Sequence, residues 1–199
     1  MKTTVLILNT LLGASFLCLT ACDREKDLFI HVDPEEPISS LVYTLTPELG
    51  GPEVVLSWID DDGPFGDDPV ITGGNLIANQ VYMGSLKLSL GTGDFPDNLT
   101  EEILEEADEH QFFFSSTLSD VQITYRDQDP DGNPIGIQNG LSTGASGNGT
   151  ITITLLHLPD KYGKDVSDGV IANAGGDIDL EVVLPISIEW ETWLECVWI

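Results

Sequence analysis

Apolar and polar residues alternate along much of the chain between residues 41 and 188. The alternating apolar positions run over Leu41–Leu45, Val54–Trp58, Leu86–Leu90, Val121–Tyr125, Ile151–Leu155 and Ile178–Ile188. A period of two is typical of strands that place one face on a core and the other in water. Gly, Pro, Asn and Asp lie between these segments. The pattern therefore predicts an all-β fold, an antiparallel, immunoglobulin-like β-sandwich of about seven strands.

One segment, from Thr100 to His110, predicts a short helix inserted between strands. Asn98 or Thr100 can cap it, and acidic residues crowd its first turn, where the helix dipole favours them. Ile103 and Ala107 belong to a short apolar stripe that would face the sandwich.

The N-terminal segment has the order of residues found in secretory signal peptides. An apolar run starts at Val5, after Lys2, and ends in Leu19-Thr20-Ala21-Cys22. This run is shorter than the roughly 20 residues that cross a bilayer comfortably. Its last four residues resemble a bacterial lipobox, which implies cleavage after Ala21 and acylation of Cys22 with palmitate-like chains. Two or more such chains hold a protein stably on a membrane.

Residues 1–21 are thus expected to form a lipoprotein signal peptide, and three segments follow it. Residues 22–40 are acidic and predict a flexible tether, residues 41–189 the β-sandwich domain, and residues 190–199 a Trp-rich tail. The tail can dock on the domain's own core, on a partner or on a membrane surface. The acidic residues after Cys22 resemble the surface-export signals of Bacteroidota lipoproteins. This resemblance implies an outer-membrane anchor on the cell surface, with the periplasmic face as the alternative.

The charge balance narrows the range of partners. The chain of 199 residues has 34 acidic and 7 basic residues, a formal net charge of −27. Nucleic acids and anionic head groups are poor partners, because few basic groups are present to neutralise phosphates. Divalent cations or a basic protein surface suit this charge better, although solubility alone also explains it.

Two acidic loops are candidate calcium sites. Asp127, Asp129 and Asp131 alternate before a glycine, as in the first part of an EF-hand loop, and hard cations prefer such oxygen ligands. The alternative is a plain hairpin turn, since no glutamate closes the loop at its twelfth position. The second loop comprises Asp60, Asp61 and Asp62. If the strands that precede the two loops run in the same direction, the loops meet at one end of the sandwich.

Two histidines suggest a different kind of site. His110 follows Glu106 by four residues, so both side chains can lie on one face of the predicted helix. Together with Glu109 and His157 they could bind Zn²⁺ or Cu²⁺, because imidazole and carboxylate suit both ions. The alternative places His110 at the negative end of the helix dipole and His157 in a strand, bonded to backbone.

Motifs for catalysis are missing from the sequence. It has no G-x-S-x-G elbow, no H-E-x-x-H helix, no P-loop and no dinucleotide-binding fingerprint. Carboxylates are so abundant that their presence does not indicate an acid/base pair. We therefore expect a protein that is not an enzyme.

A further resemblance rests on four segments of the chain, residues 105–114, 129–136, 156–161 and 173–178. These segments resemble a group of small Bacteroidota lipoproteins that are often described as type 1 periplasmic binding fold superfamily proteins. The resemblance implies a role beside TonB-dependent outer-membrane receptors. A periplasmic binding fold requires two βαβ lobes, whereas the alternating strands favour the sandwich.

These observations lead to one hypothesis and one rival. The hypothesis is a membrane-anchored, surface-exposed lipoprotein that binds a divalent cation or assists an outer-membrane receptor. Its rival is a structural or adhesion β-sandwich module without a bound ligand.

Overall fold

The computed structural model describes residues 31–32, 38–63, 66–91 and 96–191. The predicted signal peptide, Cys22, most of the tether and most of the Trp-rich tail lie outside these residues. The described part of the chain contains eleven strands and one α-helix, so the predicted all-β class is confirmed. The strands are β1 (His31–Val32), β2 (Ser40–Pro47), β3 (Val54–Ile59), β4 (Val70–Thr72), β5 (Gly74–Ile77), β6 (Val81–Ser89), β7 (His110–Ser116), β8 (Gln122–Tyr125), β9 (Gln138–Ser142), β10 (Gly147–His157) and β11 (Asp177–Glu189).

The strands form two sheets. The six-stranded sheet has the order β4-β3-β2-β6-β9-β8, and every neighbouring pair in it is antiparallel. The five-stranded sheet has the order β1-β11-β10-β7, also antiparallel, and β5 joins it parallel to β11. The chain thus changes sheets between β4 and β5. Gly73 lies at this crossing, where a Cβ would come within 2.6 Å of the Pro185 carbonyl oxygen.

One hydrophobic core joins the two sheets. Alternate side chains of β2 and β3 and of β7, β10 and β11 belong to the same buried cluster, as the predicted period of two requires. Tyr43 of β2 and Phe114 of β7 connect the sheets, with their ring centroids 6.3 Å apart. The Tyr43 hydroxyl donates a hydrogen bond to Asn139 Oδ1 at 2.7 Å, and burial raises the pKa of Tyr43 well above its ordinary value. Complete burial of one large apolar side chain contributes about 1.5–3 kcal/mol, so this core is the main source of stability.

A smaller apolar cluster lies outside this core and involves the segment between β10 and β11. It consists of Phe113, Leu156, Val166 and Ala174. Two short 3₁₀ helices, Val166–Asp168 and Ile171–Asn173, shape this segment. The cluster holds the segment against β7 and β10, which matters because both ends of the segment adjoin the candidate site.

The single α-helix of the described residues, α1, spans Leu99–Glu105 and is shorter than predicted. Thr100 does not cap it, because its hydroxyl accepts a hydrogen bond from the Leu88 amide at 2.8 Å and ties the helix to β6. Ile103 and Ala107 are buried in the main core. Among the described residues, no helix has the length and apolar character needed to cross a membrane.

Candidate metal centre

Three adjacent strands of the five-stranded sheet bring two histidines and one aspartate together. His110 is the first residue of β7 and His157 is the last residue of β10. The two are direct cross-strand partners in the antiparallel ladder. Asp179 lies on β11, on the other side of β10. Within the described part of the chain, these three are the residues whose ligand atoms form a group that could hold a metal ion, all within 4.8 Å of one another.

A β-bulge turns Asp179 inward. Leu155 pairs with Leu180, but the next residue of β10, Leu156, pairs with Ile178, so β11 contains one extra residue at this point. That residue is Asp179, which is only 2% exposed, whereas Ile178 is 36% exposed. Such a bulge breaks the alternation of a strand and re-aims one side chain. A regular strand would have placed Ile178 inward and Asp179 in solvent.

One nitrogen–oxygen distance in this group is close to the spacing of two ligands on one metal ion. His110 Nε2 lies 3.6 Å from Asp179 Oδ2, and the two imidazole rings stack with centroids 4.9 Å apart and planes at 8°. A nitrogen–oxygen separation of 3.6 Å is too long for a good hydrogen bond. Two ligand atoms on one tetrahedral Zn²⁺ ion lie about 3.3 Å apart, given bond lengths near 2.0–2.1 Å. The donor set of two imidazoles and one carboxylate therefore fits a borderline divalent ion such as Zn²⁺ or Cu²⁺.

The surroundings of His110 fix which of its nitrogens is available. Its Nδ1 lies 3.2 Å from the backbone carbonyl oxygen of Glu106, which can only accept a hydrogen bond. We therefore assign a proton to Nδ1, so that Nε2 is the nitrogen that faces Asp179. Metal-binding histidines are commonly oriented in this way by a backbone carbonyl. His110 is also only 4% exposed, so burial adds to this constraint.

The chain bends just after His157. Leu158 has a positive φ of 51°, which is uncommon for a branched residue, and its N–H donates to the Glu109 carbonyl oxygen at 2.6 Å. Gly176 packs against the same turn, and a Cβ there would lie 2.5 Å from the His157 carbonyl oxygen. This strained turn fixes the backbone of His157 relative to that of Glu109.

Glu106 does not have the place predicted for it. Because α1 ends at Glu105, Glu106 and His110 do not lie together on a helix face. The exposed Glu106 side chain is not part of the group, and only its backbone oxygen contacts His110. The structure brings His110 and His157 together as predicted. His110 also contacts the backbone carbonyl of Glu106 at the C-terminal end of α1, which agrees with the part of the alternative that concerns His110. The carboxylate of the group comes from Asp179 instead of Glu106, the glutamate that was expected from the predicted helix.

The loop that contains Asp127, Asp129 and Asp131 does not bring its carboxylates together around one point. Asp127 accepts hydrogen bonds from the Gly136 and Gln138 amides, both at 2.7 Å. Its two oxygens are thus used to close a hairpin. Asp131 is exposed and accepts a hydrogen bond from the Tyr162 hydroxyl at 3.3 Å. The structure therefore agrees with the hairpin-turn alternative at this loop.

Asp129 is buried and paired with a lysine. It is 3% exposed and its Oδ2 lies 3.2 Å from Lys161 Nζ. Lys161 Nζ also donates to the carbonyl oxygens of Ala107 at 2.5 Å and Pro134 at 3.1 Å. Burial tends to raise the pKa of Asp129, but hydrogen bonds from Asn133 and Lys161 outweigh it and lower that pKa below its ordinary value. Burial is the largest effect on Lys161 and lowers its pKa, which Asp129 partly opposes. Lys161 thus joins three loops rather than leaving Asp129 available to a cation.

The second acidic loop is distant from the first. Its parent strand β3 and the strand β8 run in the same direction, but β2, β6 and β9 lie between them. Four strand spacings correspond to about 19 Å, so the loops share one end of the sheet without meeting. Asp60 is buried and accepts a hydrogen bond from the Gly63 amide at 2.8 Å, while Asp61 and Asp62 are exposed. The structure therefore does not support a composite site made of both loops.

Comparisons of the chain with protein-family models, with curated proteins and with solved structures found no significant match. The resemblance to Bacteroidota lipoproteins stays a prediction from the sequence.

Proposed function

We propose that this chain is a membrane-anchored, surface-exposed lipoprotein whose β-domain binds a divalent transition-metal ion. The observation that carries the proposal is the group of His110, His157 and Asp179, three ligand atoms within 4.8 Å of one another. Zn²⁺ and Cu²⁺ are the ions that fit two imidazoles and a carboxylate. Two mainly antiparallel sheets over one core also support an immunoglobulin-like scaffold for the site.

Three independent irregularities support a functional origin for this group. A bulge turns Asp179 inward, a backbone carbonyl holds His110, and Leu158 takes a strained conformation beside His157. The bulge and the positive φ of Leu158 each cost free energy in a sheet that would otherwise be regular. Strain at one location is a feature of ligand sites, where the surrounding fold offsets its cost.

A titration tests the metal proposal. Protein stripped with a chelator is titrated with Zn²⁺ and Cu²⁺ by calorimetry, alongside His157→Gln, Asp179→Asn and the control Glu105→Gln, an exposed residue at the end of α1. We expect one ion per chain, and a loss of affinity of at least tenfold in the first two variants, because even outer-shell partners change affinity about 10- to 100-fold. If the wild-type chain took up neither ion, or if all variants bound equally, the proposal would be refuted.

The anchor is tested separately, because its support comes from the sequence. A tagged full-length chain is expressed in a bacterial host with labelled palmitate, beside the variant Cys22→Ala. We expect label and membrane association for the wild type and neither for the variant. Protease added to intact cells then distinguishes the outer surface from the periplasmic face. Equal membrane association of both chains would contradict a lipid anchor at Cys22.

A further inference from the structure

We propose that Glu109 is a fourth protein ligand, which completes a two-histidine, two-carboxylate site around the ion. This inference rests on the proposed metal function and extends it. Glu109 Oε2 lies 3.6 Å from His157 Nε2, the same separation that joins His110 Nε2 to Asp179 Oδ2. Both nitrogen–oxygen pairs are thus close to the spacing of about 3.3 Å expected for two ligands of one tetrahedral ion.

The exposure of the side chains indicates how the site would close. Asp179 is 2% and His110 5% exposed in their side chains, whereas Glu109 is 47% and His157 29% exposed. The first pair is therefore buried, and the second pair forms the solvent side of the site. Glu109 lies outside the group whose atoms are mutually within 4.8 Å, so its side chain must rotate to reach the ion. Fixing an exposed glutamate costs side-chain entropy, which is small beside the free energy of metal binding.

The stacked histidines indicate which ring moves. A metal ion lies in the plane of each imidazole that binds it, so two stacked rings at 8° cannot share an ion as they stand. His110 is held by the Glu106 carbonyl and by burial. His157 is the more exposed ring, and it turns toward Asp179 with Glu109 beside it. The Leu158–Glu109 backbone hydrogen bond keeps the backbones of the two moving residues in place during this change.

The fourth ligand decides what kind of metal site this is. Two carboxylates neutralise the charge of a divalent ion, which favours its retention in a partly buried site. Catalytic zinc sites keep one coordination position for water, whereas sites with four protein ligands hold the ion without such a position. A site closed by Glu109 therefore suits binding and retention of a Zn²⁺-like ion rather than metal-assisted hydrolysis.

Cobalt supplies the test, because the intensity of its visible absorption depends on coordination number and geometry. Wild type, Glu109→Gln and the matched control Glu105→Gln are titrated with Co²⁺ and then competed with Zn²⁺. Both substitutions remove one exposed carboxylate from the same region, so nonspecific charge effects are equal. We expect intense tetrahedral bands for wild type and control. For Glu109→Gln we expect weaker bands, because water molecules replace the carboxylate and raise the coordination number above four, and at least tenfold lower affinity.

The possible failures are distinguishable. If Glu109→Gln matched the control in spectrum and affinity while Asp179→Asn lost the ion, Glu109 would not be a ligand and the metal proposal would stand. If the wild-type chain bound neither Co²⁺ nor Zn²⁺, the metal proposal itself would fail. A thermal melt of each metal-free variant verifies that the fold is retained, as expected for the substitutions at the exposed residues Glu105 and Glu109.

Discussion

Replacing Lys161 with methionine should destabilise the domain more than any change at a surface lysine. Lys161 is 5% exposed, and its ammonium group donates to the Ala107 and Pro134 carbonyls and to the Asp129 carboxylate. Methionine preserves much of the side-chain volume but removes all three hydrogen bonds. The variant also leaves the Asp129 carboxylate buried without its cation.

Removal of one partner from a buried ion pair costs about 3–5 kcal/mol, mainly because the other charge is left uncompensated. Proteins of this size lose about 2–4 °C of melting temperature per kcal/mol, so the expected fall is roughly 6–20 °C. The matched control is Lys164→Met, since the Lys164 side chain is 86% exposed and lies 3.7 Å from Asp165. An exposed pair of this kind contributes about 0–1 kcal/mol.

Chemical denaturation of the three proteins at neutral pH measures these free energies. The pH dependence of the unfolding free energy gives a second measurement. Because the pKa of Asp129 is lowered in the folded state, its stabilising contribution is complete above its unfolded pKa of about 3.9 and is lost as the pH falls through the folded value. The unfolding free energy of Lys161→Met should therefore depend less steeply on pH in this acidic range. If Lys161→Met cost no more than Lys164→Met, the assignment of Lys161 as the residue that joins the three loops would be incorrect.

Four further results are expected. Gly176→Ala should destabilise the domain and weaken Zn²⁺ binding in the same titration, because the new Cβ would lie 2.5 Å from the His157 carbonyl oxygen at a φ of +77°; unchanged affinity would count against the turn as a support of the site. Asp127→Asn should lower the unfolding free energy by about 1–3 kcal/mol in urea, since a charged acceptor of two backbone amides is lost. Calcium should not shift the melting temperature of the wild type. A calcium-dependent shift that Asp127→Asn abolished would instead support the predicted calcium site in this loop. Zn²⁺ affinity should fall as the pH is lowered, because imidazole must be neutral to bind, and a calorimetric pH series measures this.

The alternation of residues predicted the sheets well, because it depends only on neighbours along one strand. Leu41, Tyr43 and Leu45 are fully buried, as their pattern indicated, and so are Ile151 and Ile153. The pairing of strands into two sheets, the parallel β5 and the change of sheets at β4 and β5 depend on distant partners. A period of two carries no information about them.

The candidate site was predictable only in part. His110 and His157 were identified from residue type, and the cross-strand register brings them together. Asp179 was missed, because a bulge depends on the register between two strands and cannot be read from the alternation of residues along a single strand. Glu106 was misplaced because the helix ends before it, and helix ends are the least regular part of such elements.

The two errors lie at the same place in the molecule, and this coincidence has a physical meaning. The bulge re-aims Asp179 toward His110, and the early end of α1 leaves the Glu106 carbonyl oxygen available to the same imidazole. A sequence selected for stability alone would extend a regular ladder and bury Ile178 instead of a carboxylate. Local rules fail at functional sites more often than elsewhere, because a site requires side chains in places that the regular structure does not provide. Two unrelated irregularities, the bulge and the early end of α1, thus both place a group against His110. This coincidence favours a binding site over a chance arrangement, and it makes His110 the fixed residue of the proposed metal centre.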